Sequence, residues 1–79
     1  MRLPRDIGGD ELIGLLGHFG YYPVRQTGSH VRLVRIFEDY EHHLTIPRHP
    51  NLRLGTLNRI LQDVAGHLGV EKEDILSKR

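Results

Sequence analysis

The sequence predicts an α+β fold in which a helix is followed by three antiparallel strands, a second helix and a short C-terminal helix. Three observations carry this. Leu12, Leu15, Leu16 and Phe19 recur at the spacing of one helical stripe, and Leu57, Ile60, Leu61, Val64, Ala65 and Leu68 form a second. Between them the chain runs through β-branched, aliphatic and alternating segments, punctuated by turn residues. Two helices on one face of an antiparallel sheet is the economical way to bury both stripes, and it leaves the opposite face free for a partner.

Each element has its own warrant. The first helix is expected over Asp10–Phe19, with Asp10 as its cap and Gly20 as its stop. Gly14 and Gly17 inside it each cost about 1 kcal/mol against alanine, a cost that close approach to the sheet would explain. Tyr21–Gln26 reads as a strand, and Pro23 places it at an edge or at a strand start because proline cannot donate to a ladder. Thr27-Gly28-Ser29 is turn chemistry. His30–Phe37 follows as the second strand, with Val31 and Leu33 on one side and His30 and Arg32 on the other, the second side shared with Val34 and Ile36. After a turn at Glu38–Glu41, His43–Ile46 alternates as a third strand stopped by Pro47. The two prolines and the asparagine of Pro47–Asn51 dictate a loop. Thr56 is the expected cap of the second helix, Gly66 or Gly69 its stop, and Glu71–Lys78 the last short helix.

At 79 residues the chain is expected to be one domain over 1–79, with a modest core, since only about 60 to 65% of the unfolded surface can be buried at this size. Without cysteine, neither disulfides nor a thiolate metal site can supplement it. Apolar runs of a few residues exclude a helical membrane span, and the N-terminus lacks an apolar targeting core, so a soluble, cytoplasmic protein is expected. The net charge of +1 is uninformative, but its distribution is not. Six arginines and no lysine lie between Tyr21 and Arg59, and His42–Arg59 contains no carboxylate. A basic flank built from Arg25, Arg32, Arg35, Arg48, Arg53 and Arg59 is expected, and arginine's planar fork suits phosphate.

Arg25-Gln26-Thr27-Gly28-Ser29-His30 is the segment with chemical potential, because a tight glycine turn gathers a histidine, a hydroxyl and an arginine at a strand end. A histidine can take a proton from a ribose 2′-hydroxyl or give one to a leaving 5′-oxygen near neutral pH. Ser29 and the amides near Gly28 suit phosphate oxygens, and Arg25 or Arg32 suits the charge that builds on a phosphoryl group. No cofactor or metal is needed for such chemistry. Six histidines also raise a metal reading, but His42 and His43 are adjacent on a strand and point to opposite faces, with no cysteine or acidic ligand at a zinc-like spacing. They read as surface histidines, and His18 and His67 as residues that face solvent or pack their rings. Ser29 and His30 project oppositely, which disfavours a hydrolase triad.

As a whole the chain resembles the HicA toxins of bacterial HicA–HicB toxin–antitoxin pairs. The resemblance runs from Asp10 to about Leu76, through Glu11-Leu12-Ile13 with Leu15-Leu16, Gly20-Tyr21-Tyr22, Arg25 to His30, Leu44-Thr45-Ile46-Pro47 with His49, Gly55-Thr56-Leu57 and Ile60-Leu61. It implies a fold like that of double-stranded-RNA-binding domains, mRNA cleavage without a cofactor, and His30 as the catalytic residue. With the basic flank, it makes Arg25, Gly28, Ser29, Arg32, Arg48 and His49 the expected RNA-binding residues. It also implies a cognate HicB-type antitoxin that masks the site. The stretch Val64–Val70 is longer than the connection usual in the family, and Arg35, Arg48 and Arg53 stand where lysine is frequent. The competing reading is a noncatalytic RNA-binding module that grips A-form RNA by shape and phosphate contacts. A second acid or base could be His49, Tyr40 or Arg25.

Overall fold

A computed structural model describes residues 2–79. Its elements follow the expected order: α1 (Gly9–Gly17), β1 (Tyr22–Thr27), β2 (His30–Ile36), β3 (Glu41–Pro47), α2 (Leu54–Leu68) and α3 (Lys72–Leu76). The α+β arrangement matches that of double-stranded-RNA-binding domains.

Helix α1 turns Leu12, Leu15 and Leu16 inward. It is capped by Gly8 and not by Asp10, which lies in the first turn near the positive end of the helix dipole. The chain leaves α1 through Gly20, whose φ of 93° lies in the left-handed region. There the Tyr21 N–H donates to the Leu16 carbonyl and the Gly20 N–H to that of Gly17, at 3.2 Å each, a Schellman pattern. Gly14 and Gly17 do not approach the sheet, since a Cβ at either would meet open space. The close approach belongs to Gly8 and Gly9 instead. A Cβ on Gly9 would land on the Pro47 carbonyl oxygen, and the Gly9 N–H donates to the His49 carbonyl at 2.9 Å.

The sheet order is β1-β2-β3, antiparallel throughout. β1 is an edge strand, as Pro23 requires, and its pairing to β2 slips between Pro23 and Arg25, leaving Val24 as an unpaired extra residue. Val31 and Leu33 of β2 and Ile46 of β3 enter the core under the helices, while His30 and Arg32 face the other way. Val34 is buried on that second side, apart from the main cluster, at the centre of the central strand. The turn between β2 and β3 closes through the Phe37 N–H and the Tyr40 carbonyl at 2.8 Å, so Glu41 belongs to β3 and not to the turn.

The Leu52 N–H donates to the Ile7 carbonyl at 2.8 Å, and the buried Leu52 side chain pins the loop after β3. Delivered at that point, the chain starts α2 at Leu54 with Arg53 as cap; Thr56 falls in the first turn and caps nothing. Gly69, at φ 71°, ends α2, and Gly66 lies inside it. α3 is shorter than expected and is capped by Glu71, whose N–H donates to the Asp74 carboxylate at 2.8 Å. Its Ile75 completes a core shared by both long helices, β2 and β3.

Candidate active site on the free face of the sheet

Thr27 and His30 are paired at the end of the β1–β2 hairpin, with Gly28 and Ser29 as a two-residue turn between them. Only Gly28, the first of the two central positions, has positive φ (60°), the arrangement of a type II′ turn, which demands glycine there. The turn matches strand twist and fixes His30 as the first residue of β2. Because strand residues alternate, His30 shares its face with Arg32, and cross-strand pairing sets Arg25 opposite Arg32 on one side and Thr45 opposite it on the other. These five residues, Arg25, Thr27, His30, Arg32 and Thr45, line one depression of about 260 Å³ on the open face.

The depression contains a titratable imidazole, two guanidiniums and two hydroxyls, and no carboxylate lines it. Among the described residues neither Arg25 nor Arg32 forms an ion pair, so both keep their donors for a ligand. Two cations set opposite each other without an anion repel, and an anionic ligand between them removes that cost. The arrangement suits a phosphodiester, with a proton acceptor or donor at one end and charge stabilisation beside it.

The other residues singled out in the sequence are placed differently. Gly28 and Ser29 form the turn at the rim, and the Ser29 carbonyl accepts the Arg48 N–H at 2.7 Å. The Arg48 side chain turns away to Asp10, with bonds of 2.7 and 3.1 Å, and this hydrogen bond holds the Asp10 carboxyl below the usual carboxylate range. His49 lies with Arg48, Asp10 and Glu11 along a separate depression beside α1. Arg35 is not part of the open basic face either: its Nε donates to the Phe19 carbonyl at 2.7 Å and its guanidinium lies 4.1 Å above the Phe37 ring. The basic flank expected from sequence is thus divided, and Arg25 and Arg32 alone of its arginines flank His30 in the depression. Tyr40 is bonded to His67 at 3.0 Å, at the other end of the sheet from His30.

The sequence assigns Thr27 only to the turn segment and Thr45 only to a strand, with a site role for neither. The Arg32–Thr45 pairing would have revealed Thr45 once the register of β3 was known. His42 is no surface histidine: it is only 7% exposed. Leu44 and Ile46 share its side of β3, so alternation sends it under the helices, where Tyr21 and Asp63 bind it.

The family model described as HicA toxin of bacterial toxin–antitoxin matches residues 9–65. The chain belongs to the HicA toxin family. The matched span runs from the start of α1 into α2 and contains the hairpin turn and all five residues of the depression. Comparison with curated proteins and with solved structures returns no significant match. As a HicA toxin, the chain is the toxin half of a toxin–antitoxin pair, which implies an antitoxin partner. Among the described residues no helix is long and apolar enough to cross a membrane.

Proposed function

We propose that this HicA toxin is an endoribonuclease that cleaves mRNA on the free face of its sheet, with His30 as the catalytic residue, and that a cognate HicB-type antitoxin silences it by covering that face. The observation that supports this most is the convergence of His30, Arg25 and Arg32 on one depression free of carboxylates. His30 takes the proton of a ribose 2′-hydroxyl, and the 2′-oxygen attacks the adjacent phosphorus. The bond from phosphorus to the 5′-oxygen breaks, a cyclic 2′,3′-phosphate forms, and the leaving oxygen takes up a proton. Arg25 and Arg32 neutralise the charge that grows on the non-bridging oxygens. Thr27, Thr45 and Ser29 bind phosphate oxygens, and RNA that runs on past the end of β3 meets His49 and Arg48, which exchanges its Asp10 partner for a phosphate. The scheme requires no metal and no cofactor.

Expression in bacterial cells tests this reading. Wild type should arrest growth, co-expression of the antitoxin should restore it, and His30→Ala should be harmless while accumulating as folded protein. Equal arrest by His30→Ala and wild type would remove His30 from the mechanism. A folded, RNA-binding wild type that never yields product would instead favour a noncatalytic module.

A further inference from the structure

A second cluster of chemically capable side chains lies where β3 meets α2, and the proposed cleavage chemistry makes no use of it. The His42 Nε2 is 3.0 Å from one Asp63 carboxylate oxygen, and the His67 Nε2 is 3.5 Å from the other. The two imidazoles stack nearly parallel, with centroids 3.7 Å apart and planes 19° from one another. One ligand-type atom from each of the three residues falls within 4.8 Å of the others.

We propose that His42, Asp63 and His67 form a binding site for a late first-row divalent metal ion of the zinc type. Two imidazoles and one carboxylate are a donor set for such ions, with the remaining position left to water. Asp63 and His67 are four residues apart on α2, so one helical face presents both, and β3 supplies the third ligand from the opposite wall. The rings stack at 3.7 Å with planes 19° apart, so one ring tilts out of the stack for both Nε2 lone pairs to converge on the ion, which takes the place of their present contacts to Asp63. The Tyr21 hydroxyl meets the His42 Nδ1 at 2.6 Å and the Tyr40 hydroxyl meets the His67 Nδ1 at 3.0 Å, which leaves both Nε2 atoms for the ion. Outer contacts of this kind, to the second nitrogen of each ligand, fix ring orientation in metal sites. On binding, the ring proton moves from Nε2 to Nδ1 and stays there, with Nδ1–H now donating a hydrogen bond to the tyrosine oxygen, whose own O–H turns away. His42 is buried, whereas Asp63 and His67 line a surface depression with Tyr40, Gln62 and Gly66, so an ion can enter from solvent.

The site is remote from His30. His42 pairs with Arg35 and His30 with Pro47, so the two lie about 17 Å apart along the sheet at about 3.4 Å per residue. Its role is to clamp β3 to α2, and it stands or falls independently of the ribonuclease reading.

The test is titration of chelator-stripped, desalted protein with zinc by calorimetry and with cobalt(II) by visible absorption. One ion should bind per chain with a dissociation constant in the micromolar range or below. At a hundredfold excess over that constant, zinc should raise Tm by on the order of 10 °C. His67→Ala and Asp63→Asn should each weaken binding at least about tenfold, while His43→Ala, an exposed histidine bonded to Glu41, should bind as wild type does. Cobalt should broaden the ring proton resonances of His42 and His67 in wild type before those of His30, a readout that needs no variant to fold. No saturable binding, binding unchanged in both His67→Ala and Asp63→Asn, or broadening that begins at another histidine would overturn the proposal.

Discussion

Replacing Arg32 with glutamine should make the protein more stable and less active at once. Arg32 and Arg25 are direct cross-strand partners, and neither has a carboxylate partner among the described residues. A like-charge pair at this spacing costs about 0.2–1 kcal/mol and is screened by salt. With an unfolding entropy of about 2.1 cal/mol/K per residue, a chain of 79 residues converts that range into a Tm increase of about 1–6 °C at low ionic strength. The increase should shrink as salt is added. In the proposed cleavage the same substitution would remove a charge from the transition state, an expected loss of about 10²–10³-fold in kcat. Scanning calorimetry at two salt concentrations and single-turnover cleavage of a labelled RNA measure the two effects. Opposite signs are what a site built for an anion requires, because the cost of holding two cations together is recovered only on the ligand. A variant with lower Tm and lower activity would mean that Arg32 is structural. One that cleaves like wild type would remove the arginine pair from the chemistry.

Three further results are expected. Tyr21→Phe leaves the buried His42 Nδ1 without its 2.6 Å partner and should destabilise by about 1–3 kcal/mol in urea titration; a change near zero would show that this network is not a stability element. Gly9→Ala drives a Cβ into the Pro47 carbonyl, whereas Gly14→Ala meets open space in a helix, so the first should lower Tm and the second should stabilise by up to about 1 kcal/mol. The Tyr21 phenol is pushed up to about 12, first by its burial. A folded pKa raised above the unfolded one means stability that is fully present below about pH 10 and lost as pH rises toward 12. Phenolate absorbance should therefore show a late step near pH 12 that Tyr21→Phe abolishes, and a Tyr21 phenol ionising near pH 10 in folded protein would contradict the assignment.

Element order was legible in the sequence because two apolar stripes at helical spacing and two turn signals leave few alternatives. The edge position of β1 followed from Pro23, and the shared face of His30 and Arg32 from strand alternation. Errors gathered at helix starts, where Asp10 and Thr56 suit capping by residue type but tertiary contacts decide. The Gly9 N–H bond to His49 and the Leu52 bond to Ile7 fix where the chain enters each helix. Those contacts join segments about forty residues apart, and no local pattern encodes them. Glycine follows the same rule: Gly14 and Gly17 stand out in the helical pattern of the sequence, while Gly8 and Gly9 carry the close approach in the structure.

At the candidate site, the hairpin residues were readable because turn and histidine are adjacent in the chain. The fate of the other arginines was not. Arg48 pairs with Asp10 and Arg35 folds back onto Phe19, and sequence charge patterns do not say which cations are already engaged. His42, Asp63 and His67 were hidden because one comes from a strand and two from a helix. The i, i+4 relation of Asp63 and His67 was visible, but nothing local tied them to His42.

The most direct measurement is cleavage of a long single-stranded RNA by purified protein in the presence of EDTA, with wild type beside His30→Ala. His30 is exposed at a strand end, so the variant should keep the wild-type Tm and RNA affinity while losing about 10²–10⁴-fold in rate. Cleavage by wild type alone, with cyclic phosphate ends, is the expected result. Equal cleavage by both proteins, or none by a wild type that still binds RNA, would contradict a ribonuclease centred on His30.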